Sequence, residues 1–545
     1  MQIKLIRSPF RQFAIRSLTV ILLCLGLAGS VAVNAVDNDK ARNRAQRALR
    51  SGDFERAEQL YRELLAKNEQ DSEARLGLSH ALLKQRRLQD SFDHAARVLA
   101  AEPLSARAHA LLGSALLAAG DFRLSVEEFR TALRLNNNEA MAIAGLAMVD
   151  YYENRTAKCI AGLRRAAYID PNEPDYVFNL GQAAARVERY KEAANAYEKF
   201  LEVAPRTDAD RRSRIRGLID FLRYLGQLGS LYNVQGPDRT VIPFEAPDNR
   251  PIIRVRINGS SDYMRFVLDT GSGMSVLSET TARKLGMRAI AKGGLARAVG
   301  GGGRFEIVYG YLEAIDIGDI RIANVPVYIR HFYDAENPVD GYLGIAALGR
   351  LLIGVDYGSR IVTISRQRNS VVVGKTAGGR EKPVKTETTD QRPGIDMAVR
   401  TTASGFLSGE VFIEGIRKPL NFIVDTGATV SVLSERTAAL EEAQSFIRPS
   451  RMRVFGAAGI AHDVKVAVLP RIMMGAYGLE KIDAAVLDLE PINETTGFQQ
   501  SGILGGNFLR HFRLLFDFQK SIVRLQPLDA TPVQNGNLPP EGTSQ

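Results

Sequence analysis

The sequence has no tryptophan, only two cysteines and only six histidines. Cys24 falls in an apolar run near the N-terminus, which leaves Cys159 without a partner. No internal disulfide is therefore expected, and stability must come from packing. The histidines are dispersed, no His-Glu-x-x-His occurs, and no Cys or His pair has ligand spacing, which argues against a zinc enzyme. A serine hydrolase of the Gly-x-Ser-x-Gly type is also excluded, because "TGSGM" around Ser272 lacks that spacing. The net charge is +10, but Lys and Arg are scattered over helix faces and linkers with no compact basic patch, so no nucleic-acid partner is expected. No metal and no cofactor is called for.

A chain of 545 residues is too long for a single core, so several domains are expected. Residues 1–35 stand apart from the fold. Lys4, Arg7, Arg11 and Arg16 precede an uncharged apolar run from Leu18 to Val33, and "VNA" ends at Ala35 with the small residues a signal peptidase needs. The segment reads as a signal peptide or as an uncleaved membrane anchor through residues 18–33. Both place the body of the protein outside the cytoplasm, in the periplasm or secreted. Leu23 ahead of Cys24 is not the small residue that lipid attachment requires.

From 38 to 206 the sequence repeats every thirty-four residues. Phe54, Leu88, Phe122, Thr156 and Tyr190 share one slot, and Ala57, Ser91, Ser125, Cys159 and Ala193 share a small-residue slot three later. The pattern resembles an array of five tetratricopeptide repeats, helical hairpins that bury their apolar stripes only by stacking on one another. Such an array implies a protein partner. Cys159 reads as a small packing residue. Residues 207–245 are expected to form a helical cap and a linker.

Beyond this point the pattern changes to short alternating runs punctuated by Gly and Asn, "PIIRVRING" and "MRFVLDTG" among them, which predicts all-β structure over 249–368. A second such series covers 395–528. The polar stretch 369–394 between them reads as a linker, and 529–545 as a disordered tail.

The two β regions share a sentence. "FVLDTGSGMSVLSE" at 266–279 and "FIVDTGATVSVLSE" at 422–435 match at nine of fourteen positions. Each is followed at a similar distance by an apolar-Leu-Gly element, Tyr342 to Gly344 and Ile503 to Gly505, so the chain is read as an internal duplication. An acid after three apolar residues is costly in a core unless something compensates. Two such acids, Asp269 and Asp425, brought together would share one proton and supply a general base and a general acid. Thr270 and Thr426 can hydrogen-bond across the interface, and Gly271 and Gly427 allow close backbone approach.

On these motifs, residues 249 to 528 resemble two tandem retropepsin-like aspartyl protease domains of the bacterial type. The resemblance implies two acid-protease β domains behind an all-α solenoid. It also implies peptide-bond hydrolysis by a water that Asp269 and Asp425 activate, and a polypeptide substrate. It implies a flap over the cleft in each half, for which the candidates are 298–310, with Gly300, Gly301 and Gly302, and 454–466, with Gly456 and Gly459. In this family a hydroxyl two residues after the glycine helps hold the carboxylate. Thr429 meets that pattern, whereas Gly273 does not, with Ser272 beside it as a partial substitute. Two functions fit: an exported aspartic endopeptidase whose repeats recruit substrate or partner, or a peptide-binding scaffold that does not cut. The halves are free to pair with each other or between chains.

Overall fold

The computed structural model describes residues 38–207, 209–301, 304–366 and 394–528. The N-terminal segment with its run 18–33, nearly all of the stretch 369–394, Gly302 and the tail 529–545 lie outside the described residues. No described helix is long and apolar enough to cross a membrane. The described residues fall into two compact units. One lies within Met1–Leu116, Glu127–Ala142 and Pro205–Asp208, the other within Leu117–Val126, Ile143–Ala204 and Ala209–Gln545.

Among the described residues eleven helices come first. Ten form hairpins: 38–50 with Phe54–Lys67, Ser72–Lys84 with Leu88–Ala101, Ala106–Ala119 with Phe122–Leu135, Ala140–Tyr152 with Thr156–Ile169, and Pro174–Arg186 with Tyr190–Val203. Helix starts are fixed locally where a carboxylate is available, as at Asp53 and Asp71, whose side chains accept from Arg56 N and Ala74 N. The small-residue slot explains the repeat, because Ala57, Ser91, Ser125, Cys159 and Ala193 are all 0% exposed, leaving no room for a longer side chain. Burial pushes the Cys159 thiol up to about 12, so it stays protonated and packs as an apolar group. The eleventh helix is Ala209–Leu225.

The remainder is β-rich. Its first sheet of eight strands contains Ile252–Ile257, Met264–Leu268, Ser275–Ser278 and Gly341–Leu343, and a second sheet of thirteen contains their counterparts Leu407–Ile413, Leu420–Val424, Ser431–Ser434 and Gly502–Leu504. In each half the strand before the Asp-Thr-Gly runs parallel to the strand of the Leu-Gly element. The strand after it runs antiparallel to that same element. "SVLSE" ends that strand and starts a helix. Ser278 caps Glu279–Lys284 and Ser434 caps Glu435–Ala438, each accepting from the backbone N–H three residues on.

The two halves are joined by backbone. Leu351–Asp356 pairs antiparallel with Phe512–Asp517, with Gly354 opposite Leu515, so each half contributes its final hairpin to one continuous sheet. A single apolar core runs through both, from Ile253, Phe266 and Ile353 to Phe422, Leu514 and Phe516. The halves therefore pair within the chain.

One expectation changes. The linker part of 207–245 is partly strand: Asn233–Gln235 pairs with Ile320–Arg330, and Arg239–Pro243 pairs with Ile361–Arg366 at the end of the joining sheet. Its signal was the alternation in "RTVIP", which turns Thr240 and Ile242 inward, but the run is too short to stand out among polar neighbours. The helices of the second unit are also built into the β structure. Phe221 stacks on Tyr309 with ring centroids 4.4 Å apart, Phe498 lies 4.9 Å from Phe122 and 5.1 Å from Tyr152, and Arg186 donates to Thr402 O at 2.5 Å while its guanidinium covers the Tyr151 ring.

Candidate active site

The two Asp-Thr-Gly loops meet. Thr270 Oγ1 donates to Val424 O at 2.7 Å and Thr426 Oγ1 donates to Leu268 O at 2.5 Å. Each hydroxyl also accepts from the other loop's threonine N–H, at 3.0 and 3.1 Å. Both threonines are fully buried, so this reciprocal lock satisfies backbone groups that water cannot reach.

The lock sets the distance between the acids. A Cβ on Gly271 would collide with the Asp425 carboxyl, and one on Gly427 would collide with that of Asp269. Only glycine lets each backbone pass this close to the opposite acid. Gly271 N donates to Asp269 Oδ1 at 2.8 Å and Gly427 N to Asp425 Oδ1 at 2.7 Å, which aims both side chains inward. The backbone N–H groups of Asp269 and Asp425 donate to Leu343 O and Leu504 O, both at 3.0 Å, seating each loop on its Leu-Gly element.

The serine that opens each "SVLSE" contributes a support that the motif comparison left unassigned. Ser275 Oγ accepts from Gly344 N and Ser431 Oγ accepts from Gly505 N, both at 3.1 Å. Its recurrence in both copies was the available signal.

The pair is not symmetric. Ser272 Oγ donates to Asp269 Oδ2 at 2.5 Å, whereas position 428 in the second half is alanine, and Thr429 makes no side-chain hydrogen bond to Asp425 among the described residues. The hydroxyl expected at Thr429 is thus supplied at Ser272, on the opposite acid. Thr429 contributes its carbonyl instead, which accepts from Asn507 N at 3.2 Å. Burial raises both acids above the usual carboxylate range. Asp425 lies well above it, through burial and the neighbouring Asp269 charge, while the Ser272 hydroxyl pulls Asp269 back down. The two acids therefore titrate as a pair, with the asymmetry favouring the proton on Asp425 and the charge on Asp269.

Two hairpins carry the glycine-rich tips. One is Ala291–Arg297 with Arg304–Ile317, the other Ile447–Gly456 with Gly459–Met474. Gly300 and Gly301 have φ of 80° and 83° and Gly459 has φ of 140°. The tips touch: a Cβ on Gly300 would stand 2.7 Å from Gly456 Cα, and one on Gly301 would stand 2.6 Å from Gly459 Cα. Val299 packs on the apolar cluster of Ile423, Val432, Leu487 and Ile503, which Ala428 beside the acid pair also joins. Among the described residues no cluster of His, Cys, Asp or Glu is arranged to hold a metal ion.

Family models agree with this geometry. The aspartyl protease family matches residues 253–347, and the gag-polyprotein aspartyl protease family matches 410–511. Tetratricopeptide-repeat models match 48–115, 106–139 and 174–207. Aspartyl-protease-like domains and tetratricopeptide repeats are both present in this chain. The tetratricopeptide array is a helical solenoid, and repeats of this kind suggest protein–protein interaction. The stretch 140–173, which these models leave unmatched, still forms a hairpin, since its Cys159 fills the small slot.

No curated protein matches the sequence. Among solved structures, a thermophilic tetratricopeptide-repeat protein of Thermus thermophilus is 22% identical, over 33% of this chain and 98% of its own, with a TM-score of 0.29. An aspartic proteinase from Irpex lacteus is 12% identical, over 55% of this chain and 100% of its own, with a TM-score of 0.35. These likenesses are too low to add to the argument from the family models and the strand order.

Proposed function

We propose that the chain is an exported aspartic endopeptidase with one active site made from both halves, Asp269 and Asp425 being its catalytic residues. The observation that carries this reading is the mutual exclusion of Cβ atoms by carboxyls, Gly271 against Asp425 and Gly427 against Asp269. Two buried acids forced together are costly to hold and useful only for chemistry that needs one of each protonation state.

Ionised Asp269, supported by Ser272 and the Gly271 N–H, takes a proton from the attacking water as the water oxygen bonds to the peptide carbonyl carbon. Protonated Asp425 gives its proton to the carbonyl oxygen. When the resulting diol collapses, its C–N bond breaks, Asp269 passes the proton it took from water to the leaving amine, and Asp425 takes one back from a diol hydroxyl as the carbonyl re-forms. The hairpins with tips at Gly300–Gly301 and Gly456–Gly459 act as flaps over the substrate. The repeat array recruits the protein substrate or a partner. The duplicated "DTG…SVLSE" sentence supports a tandem duplication, and the basic residues ahead of Leu18–Val33 support export to the periplasm or the medium, with that run cleaved or retained as an anchor.

The test is hydrolysis of an unfolded protein by the purified chain from acid to neutral pH, beside Asp269→Asn and Asp425→Asn. Cleavage by the parent and its loss in both variants supports the assignment. A folded parent that cleaves nothing at any pH overturns it and leaves a peptide-binding scaffold.

A further inference from the structure

The two halves also differ in the wall beside the acid pair. In the second half the strand Tyr477–Leu487 runs parallel to Ser431–Ser434 and ends with Leu487 opposite Ser434. In the first half the strand Ile320–Arg330 runs parallel to Ser275–Ser278 and ends with Arg330 opposite Ser278. Tyr342 and Ile503 correspond in the same way, opposite Val276 and Val432. The wall built by Leu487, Ile503 and Val432 is wholly apolar and meets Ala428 and the flap residue Val299. The matching wall of the first half puts a guanidinium where the second half has leucine.

Among the described residues Arg330 has no hydrogen-bonded acid. Its Nε is buried without a hydrogen-bond partner, and among the described residues no ion pair reaches it. What surrounds it is aromatic: its guanidinium carbon lies 5.8 Å from the ring centre of Phe305, just past the first flap tip, and 5.8 Å from that of Phe332. Phe332 in turn packs edge-on against Tyr342 at 5.1 Å. The neighbouring Arg250 shows what a structural arginine looks like here, since it donates to both Asp248 and Asp334 and to the Tyr342 hydroxyl. Arg330 has none of this, yet it retains partial exposure, so its guanidinium is held by ring faces and left free to bond outward. The register that sets Leu487 in the wall meeting Ala428 beside Asp425 sets Arg330 at the matching place on the Asp269 side, where the two charges favour each other. A largely buried cation whose one nearby acid among the described residues, Asp269, does not hydrogen-bond to it is a standing cost that an anionic ligand would lower.

We propose that Arg330 receives a carboxylate of the peptide substrate, so that the cleft has an acid-selective subsite on the first half facing an apolar wall on the second. A planar guanidinium fixed between rings suits two parallel hydrogen bonds to a carboxylate. The inference rests on the protease reading, but binding alone also tests it.

The experiment uses internally quenched peptides with blocked ends, carrying Glu or Gln in turn at each position flanking the scissile bond, and a matched set with a free C-terminal carboxylate. The full chain, Arg330→Leu and Arg330→Lys are compared by the Glu:Gln ratio of kcat/KM, which any residual activity suffices to measure. The parent is expected to favour Glu by roughly tenfold or more at one position, or the free carboxylate if the anion is the peptide terminus. Arg330→Leu should bring that ratio to about one, and Arg330→Lys should keep part of it. A ratio near one throughout for the parent, or a preference that survives in Arg330→Leu, overturns the proposal. An equal loss for Glu and Gln peptides with a displaced pH profile also overturns it, by assigning Arg330 to the tuning of Asp269 alone. If the parent cleaves nothing, equilibrium binding of the same peptides decides: a Glu preference abolished in Arg330→Leu retains the subsite while the protease reading falls, and its absence overturns both.

Discussion

A side-chain carbon on Gly273 would collide with the carbonyl oxygen of Ser404, a residue of the opposite half. The glycine that breaks the family pattern is therefore required by packing, and Ser272 supplies the hydroxyl that position 273 cannot carry. The Ser404 loop has little freedom to retreat. Ala403 N donates to Thr496 O at 2.9 Å, and Thr402 O is held by Arg186. Gly273→Thr, which restores the family's residue, is expected to lower the unfolding midpoint by an amount corresponding to about 1–3 kcal/mol and to reduce kcat/KM. Calorimetry and peptide kinetics on the one variant check both, and a neutral or improved variant would contradict the packing account.

Ser272→Ala removes the hydroxyl that favours ionised Asp269. The acid's pKa then rises, so the acid limb of kcat/KM against pH should move to higher pH, with a loss of roughly tenfold at the parent's optimum. Rates measured at closely spaced pH values decide this. An unmoved limb would assign the base role elsewhere.

Asp425 has its folded-state pKa raised above the unfolded value by burial and by Asp269. Such a group contributes stability that is fully present below the unfolded value of about 4 and lost as pH rises through the folded one. Asp425→Asn cannot ionise, so its thermal midpoint should gain on the parent's as pH is raised from about 4 towards neutral. A difference that stays constant with pH would show that the pair is not strained by its charge.

Thr426→Val keeps the shape of the side chain but leaves Leu268 O and Thr270 N without their bonds in a dry interface. A loss of about 2–5 kcal/mol is expected from two buried groups left unpaired, whereas Thr426→Ser should cost little by comparison. Urea midpoints of the two variants give the contrast. Equal losses would point to the methyl group instead of the hydroxyl.

Much of this arrangement was legible because it is periodic or repeated. The small slot at Ala57, Ser91, Ser125, Cys159 and Ala193 is a local consequence of helix stacking, and the second Asp-Thr-Gly has no economical explanation without the first. What escaped was set by partners distant in sequence. Arg186 looks like any arginine at a helix end, and its acceptor Thr402 lies 216 residues away. Phe498 sits in an ordinary loop until Phe122 and Tyr152 close on it. Gly273 breaks the family pattern for a reason that lies in Ser404 of the other half, and nothing local marks Arg330, which only the register against Ser278 matches to Leu487.

The central claim is that one chain holds one complete acid pair. Its most direct test is peptide hydrolysis at the parent's best pH by Asp269→Asn alone, Asp425→Asn alone and an equal mixture of the two, refolded together. The account predicts cleavage by the parent and none above background by either variant or by the mixture, since no chain in it carries both acids. Recovery of cleavage in the mixture would contradict it, by showing that the two acids are supplied by different chains.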